Sequence, residues 1–351
     1  MKRRRYLALA GSGLLAGCSA GYRGSTAVPR DELRRGAPRD GIPAITDPRY
    51  AASWDGIEIT FTTPEGRTST YEPQLHPSDL VVGVDYEGAT RAYPLKVLAW
   101  HEVVNAPDGL LVSYCPLCRS GVVAKRVVDG SLATFGVSGL LYRENLVMYD
   151  SVSDSLWSQL LGKAIRGPAT GTELSLVPAS LTDWGTWREQ HPDAEVLLPP
   201  PLSDTVVGEV RLNYGFDLYG QLSRVDDYLG DESYSDTRLP RKALVLGVAH
   251  GGEATAYAFL DMQYQPVVND TVGGLPVVVV NTETGLFAYE RGPRRFELRD
   301  GLLSSGGATW TPTTGAPVDA DDPLSPVAGA TSLYWFAWLA HYPNTEVWSR
   351  G

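Results

Sequence analysis

Cys115-Pro116-Leu117-Cys118 is the sharpest chemical signature in this sequence. Two thiolates three positions apart can clasp one metal ion, close a small disulfide or cycle between dithiol and disulfide. The chain has three cysteines, and the third, Cys18, lies in an export signal. A four-cysteine zinc site needs a second pair, which this sequence lacks. A thioredoxin-like arrangement wants the pair at the start of a helix, whereas Arg119-Ser120-Gly121 and the β-like run VVAKRV follow here. His101 and Met148 are the other side chains in this region that suit a soft metal. Two thiolates, an imidazole and a thioether fit copper, and the Cys and His donors also fit zinc.

An internal comparison bears on this set. Leu80-Val-Val-Gly-Val84 matches Leu244-Val-Leu-Gly-Val248, Ala92-Tyr93 matches Ala256-Tyr257, and Val103-Val-Asn105 matches Val267-Val-Asn269, all at one offset. Further on the offset shrinks, with Leu140-Leu141, Trp157, Trp187 and Pro192 answering Leu302-Leu303, Trp310, Trp338 and Pro343. The order is kept throughout, so the sequence predicts two tandem copies of one module. His101 corresponds to Gln265, the Cys pair to the stretch Val280-Asn281-Thr282-Glu283, and Met148 falls where the second copy is shortened. Residues kept in both copies are explained by the fold. Those found only in the first are candidates for its site.

The elements that must hold these residues are short. Alternating apolar segments at 79–84, 89–93, 110–114, 121–127, 132–137 and 145–149 are bounded by turn residues, as in antiparallel sheets. Ile57–Thr62 and Thr68–Tyr71 make a further hairpin around Gly66. Helices are expected at Pro94–Val103, Ser180–Gln190 and Ser332–His341. The class is α+β, largely antiparallel β with a few short helices. The expected organisation is a signal peptide over 1–17, a Gly/Arg/Pro/Ser-rich tether over 18–48, a site-bearing module over 49–199, a connection over 200–237 and a second, degenerate module over 238–351.

A second group, Tyr142, Arg143, Asn145 and Asp150, with Ser138, Ser158 and Gln159 nearby, could line a pocket or serve as turn and edge residues. The sequence has no G-x-S-x-G, no phosphate-binding glycine loop and no H-E-x-x-H. With 30 Lys+Arg against 41 Asp+Glu, the net charge of −11 lacks the basic footprint that nucleic-acid binding needs.

Lys2-Arg-Arg-Arg5 followed by an apolar run to Ala16 reads as twin-arginine export, and Leu15-Ala-Gly-Cys18 as a lipoprotein cleavage box. Cys18 would carry the lipid and anchor the protein to the outside of the cell membrane. The apolar run is too short for an ordinary spanning helix.

His101-Glu-Val-Val-Asn105, Tyr114-Cys-Pro-Leu-Cys118, Phe135-Gly-Val-Ser-Gly-Leu-Leu-Tyr142, Asn145-Leu-Val-Met-Tyr-Asp150 and Leu156-Trp-Ser-Gln159 together resemble the domain-of-unknown-function family 3179. The resemblance covers nearly the whole chain after the signal. It implies an exported or membrane-attached bacterial or archaeal protein and carries no activity. Arg119 after the Cys pair departs from the small residue expected there, and Ala106 stands where the second copy has Asp270. The functional expectation is a surface lipoprotein with a Cys/His metal or thiol-redox site in its first module. The alternative is a non-catalytic binding or scaffold protein stapled by a Cys115–Cys118 disulfide.

Overall fold

Runs rich in Val, Leu and Tyr pair with their chain neighbours wherever two or three turn residues separate them. Leu80–Tyr86 and Ala89–Pro94 pair in register around Glu87-Gly88, both with positive φ (50° and 82°), the backbone of a tight two-residue hairpin. The computed structural model describes residues 27–63, 65–216, 218, 220–221 and 236–350. The export signal and Cys18 lie outside them.

The class is α+β, mostly antiparallel sheet with short helices. Three sheets organise the N-terminal half. The first runs in the order 180–183, 80–86, 89–94, 195–197, 50–51. The second runs 176–177, 120–125, 110–115, 103–105, 45–47, 204–205 and carries the cysteines. The third runs 33–35, 135–142, 145–150, 156–158, 163–166. In the C-terminal half, one sheet runs 331–334, 244–250, 253–258, 346–348 and a second runs 267–272, 275–281, 286–290, 325–326. A three-stranded sheet, 297–299, 302–305, 308–310, completes it.

Several expected elements shift. The helices expected from Ser180 and Ser332 begin later, at Trp184–Gln190 and Trp335–His341. The residues before them are strands, because Ser180–Asp183 pairs with Leu80–Gly83 and Thr331–Tyr334 pairs with Leu244–Gly247. Asp183, not Ser180, caps the first of these helices, accepting from Thr186 N. The first helix is Leu95–His101, after Pro94.

The stretch expected as a tether is partly built into the body. Leu33–Arg35 pairs with Leu140–Tyr142, and Ile45 lies parallel to Val104. Ladder bonds hold these residues although their composition is that of a linker. The expected connection also returns to the first half, where Asp204–Thr205 pairs with Ile45–Asp47 and Tyr214 is buried.

One apolar cluster joins the two halves. It contains Cys115, Cys118, Met148, Phe135 and Trp157 together with Trp335, Phe336 and Trp338. Tyr334 N donates to Cys118 O at 2.9 Å and Thr331 Oγ1 to Gly121 O at 2.8 Å. The cysteine turn is thus pinned from the C-terminal half.

Candidate functional site

Cys115 ends the strand Leu110–Cys115, and the next strand, Ser120–Lys125, returns with Ser120 opposite Cys115. The turn between them is closed by Cys118 N donating to Cys115 O at 3.2 Å. Pro116 suits a turn because its φ is fixed, and Arg119 takes a left-handed φ of 57° to re-enter the strand. Both cysteines are free thiols and both are buried. Their side chains are close enough for each to shift the other's ionisation.

The two thiols are not equivalent. Burial acts to raise Cys115, but the Cys118 thiol and the backbone N–H groups of Cys118, Leu146 and Leu117 outweigh it and lower the net value. Cys118 is pushed well above the ordinary thiol value, first by burial and then by the proton it shares with Cys115. The single S–H of Cys118 also has Glu144 O within reach at 3.0 Å. Cys115 is therefore the more acidic thiol of the pair.

Glu144 belongs to an unusual turn. Tyr142 and Asn145 are paired, leaving Arg143-Glu144 as a two-residue loop, and both have positive φ (50° and 65°). Such loops favour Asn-Gly, and left-handed residues of other types cost about 1–3 kcal/mol each. The turn is held from three sides. Arg143 Nη1 donates to Ala340 O at 2.8 Å, Arg34 pairs with Glu144 at 2.9 Å, and Tyr142 meets His341 edge-on with centroids 5.8 Å apart. Asn145 donates to Ser120 Oγ and Gln159 Oε1 and accepts from Leu160 N, and its side chain counters the rise in the Cys118 pKa. Tyr142, Arg143 and Asn145 thus frame the cysteine turn.

Asp150 does not join them. It is buried and accepts from Val152 N, Ser153 N, Ser153 Oγ, Ser155 N and Trp157 Nε1, which fixes the turn after its own strand. Met148 sits between Val137 and Trp157 in the sheet, in the same apolar cluster as the cysteines.

His101 is buried with both ring nitrogens engaged, Nδ1 to Pro43 O at 2.7 Å and Nε2 to Tyr214 Oη at 2.8 Å. Burial lowers its pKa to about 4, so the ring is neutral at physiological pH. A hydroxyl and a carbonyl hold the atoms that a metal would need. Among the described residues no group of three or more His, Cys, Asp or Glu is placed to hold a metal ion.

The residue the motifs missed is Glu102. It follows His101 at the helix end in a left-handed conformation, with φ 56°, and is buried. Its pKa is raised well above the carboxylate range, first by burial and then by charge on Cys115. A carboxyl whose charged form burial disfavours therefore lies beside the more acidic thiol. Only adjacency to His101 marks it in the sequence. Glu102, Pro116 and Leu117 also line a cleft of about 610 Å³ whose other walls are largely apolar.

A family model described as "Protein of unknown function (DUF3179)" matches residues 39–345. No curated protein and no solved structure matches the chain. The match spans the cysteine turn and every sheet strand except the outermost 33–35 and 346–348, and the chain belongs to this family of proteins of unknown function.

Proposed function

We propose that the protein is a thiol-redox protein whose working group is the Cys115/Cys118 pair. One observation carries this reading: two free thiols share one tight turn, each shifting the other's ionisation, with protein N–H groups favouring the charged form of Cys115. A β-turn brings its first and last Cα atoms within about 7 Å, the range a disulfide spans. The pair can therefore close without rebuilding the strands. Redox exchange is favoured over a copper or zinc site because both ring nitrogens of His101 are engaged elsewhere. Met148 then serves the core.

The site belongs to the first of two copies of one unit. The first four strands of the sheet that runs 180–183, 80–86, 89–94, 195–197, 50–51 match the order of the sheet 331–334, 244–250, 253–258, 346–348, and in each the third and fourth strands pair in parallel. Asn105 brackets the backbone of Phe135 as Asn269 brackets that of Phe296. Phe135–Trp157 and Phe296–Trp310 meet at 5.7 and 5.4 Å, both at 68°. These matches support duplication, with the thiol pair present in one copy only. The export signal and Cys18 lipid anchor would hold the pair outside the membrane, where exposed dithiols tend toward disulfides.

The test is exchange with dithiothreitol. Protein equilibrated with reduced and oxidised dithiothreitol should gain and lose two alkylatable thiols reversibly, and purified reduced protein should hold no stoichiometric zinc or copper. Thiols that never interconvert, or a tightly held metal lost on Cys115→Ser, would overturn the reading.

A further inference from the structure

Resting on the redox reading, we infer that the cleft walled by Ile42, Trp100, Leu140 and Leu212, with Glu102 at its polar end, takes a neutral quinone as the electron acceptor of the Cys115/Cys118 pair.

Location comes first. Pro116 and Leu117, the two residues between the cysteines, line this cleft, as does Leu146, whose N–H faces Cys115. A molecule seated there rests against the turn that would become the disulfide loop. The volume, about 610 Å³, falls within the range of small-ligand pockets.

The walls select the ligand. Among the described residues lining the cleft, Glu102 is the only ionisable one. A hydrophilic disulfide carrying several charges would lose its hydration there with nothing to pair it. An apolar ring system gains from the same transfer. Burial and the charge of Cys115 favour the protonated form of Glu102, whose O–H can donate. The carbonyl oxygens of a quinone accept such a bond and bring no charge into the cleft.

The exchange balances. Both cysteine sulfurs give up their hydrogens and join in one S–S bond. The two electrons and two protons released turn the two carbonyls of the quinone into the hydroxyls of a hydroquinone. Glu102 can pass a proton to the carbonyl oxygen and recover one from the cysteine pair, ending unchanged.

The probe is duroquinone, whose ring carbons are all methylated and so lack the open position to which thiols add. Reduced full-length protein, mixed anaerobically with it, should yield one hydroquinone for every two thiols lost. Leu212→Trp, which fills the cleft, should slow this by more than about tenfold. Val207→Trp, at an exposed position outside the cleft, should not. If Leu212→Trp does not fold, saturable binding of duroquinone to the Cys115→Ser/Cys118→Ser protein, measured by calorimetry, replaces it, and no binding overturns the proposal. A pair that cycles with dithiothreitol yet ignores duroquinone, or reacts equally in Leu212→Trp, overturns the quinone assignment and leaves the redox reading standing. A pair that does not cycle with dithiothreitol overturns both.

Discussion

Replacing Asp150 with Ala should destabilise the protein more than any surface substitution. Its carboxylate accepts five hydrogen bonds, two of them from fully buried residues, Ser155 N at 3.1 Å and Trp157 Nε1 at 2.9 Å. Val152 is exposed and Ser153 half-buried, so water can replace the carboxylate at their groups. The two buried donors cannot be rescued that way, and each costs about 1–3 kcal/mol when stranded, more when the lost acceptor was charged. The expected loss is about 4 kcal/mol. The assay is urea unfolding followed by tryptophan fluorescence, comparing midpoints at equal slope. The effect also has a pH signature. Burial acts to raise Asp150, but its hydrogen bonds from Ser153, Trp157 and Val152 lower it overall. A depressed folded pKa means that the stabilisation is complete above the ordinary carboxylate value, about 4, and fades as pH falls through the lower folded value. The gap between Asp150→Ala and the parent should therefore narrow in acid. A loss below about 1 kcal/mol at neutral pH would refute the argument.

Other consequences can be checked in the same way. Gly83→Ala would drive a Cβ into the ring of Trp187, and Gly247→Ala into that of Trp338, so each should cost at least about 2 kcal/mol in chemical denaturation. Unequal effects would argue against equivalent packing in the two halves. His101 and His341 are both buried, with pKa values lowered to about 4. The unfolded chain binds protons at these residues first, from about pH 6.5 downward. Stability should thus fall as pH drops from about 6.5 toward 4, by up to about 1.4 kcal/mol per unit for each ring, and His101→Gln should flatten the slope. Asn145→Ala removes two hydrogen bonds to the Ser120/Gln159 pair and a group that counters the rise in the Cys118 pKa. It should lower the reactivity of reduced protein toward oxidised dithiothreitol, and an unchanged rate would mean the network serves stability alone.

Much of this was legible in the sequence for specific reasons. The cysteine pair stood out because a strand-turn-strand pattern surrounds it, and the paired strands 80–86 and 89–94 follow from alternation around Glu87-Gly88. Tyr142, Arg143 and Asn145 drew notice because polar residues interrupt an apolar run. The helix starts were misread because Ser180 and Ser332 look like caps, while pairing with a distant strand decides their conformation. Residues 33–35 and 45–47 read as linker because their partners lie about a hundred and sixty positions away or fewer, beyond any local pattern. Glu102 was invisible as a site residue because only the fold sets its carboxyl against Cys115 and the cleft.

The central claim is that Cys115 and Cys118 exchange electrons rather than staple the fold. A redox titration reads this directly, with the thiol state followed by alkylation and mass spectrometry across defined dithiothreitol ratios. The account predicts a single two-electron transition between about −300 and −120 mV, the range of exchanging pairs, lost in Cys115→Ser and in Cys118→Ser. A disulfide that persists below about −300 mV would mark a structural staple, and a pair that stays reduced throughout would show that the thiols do not close.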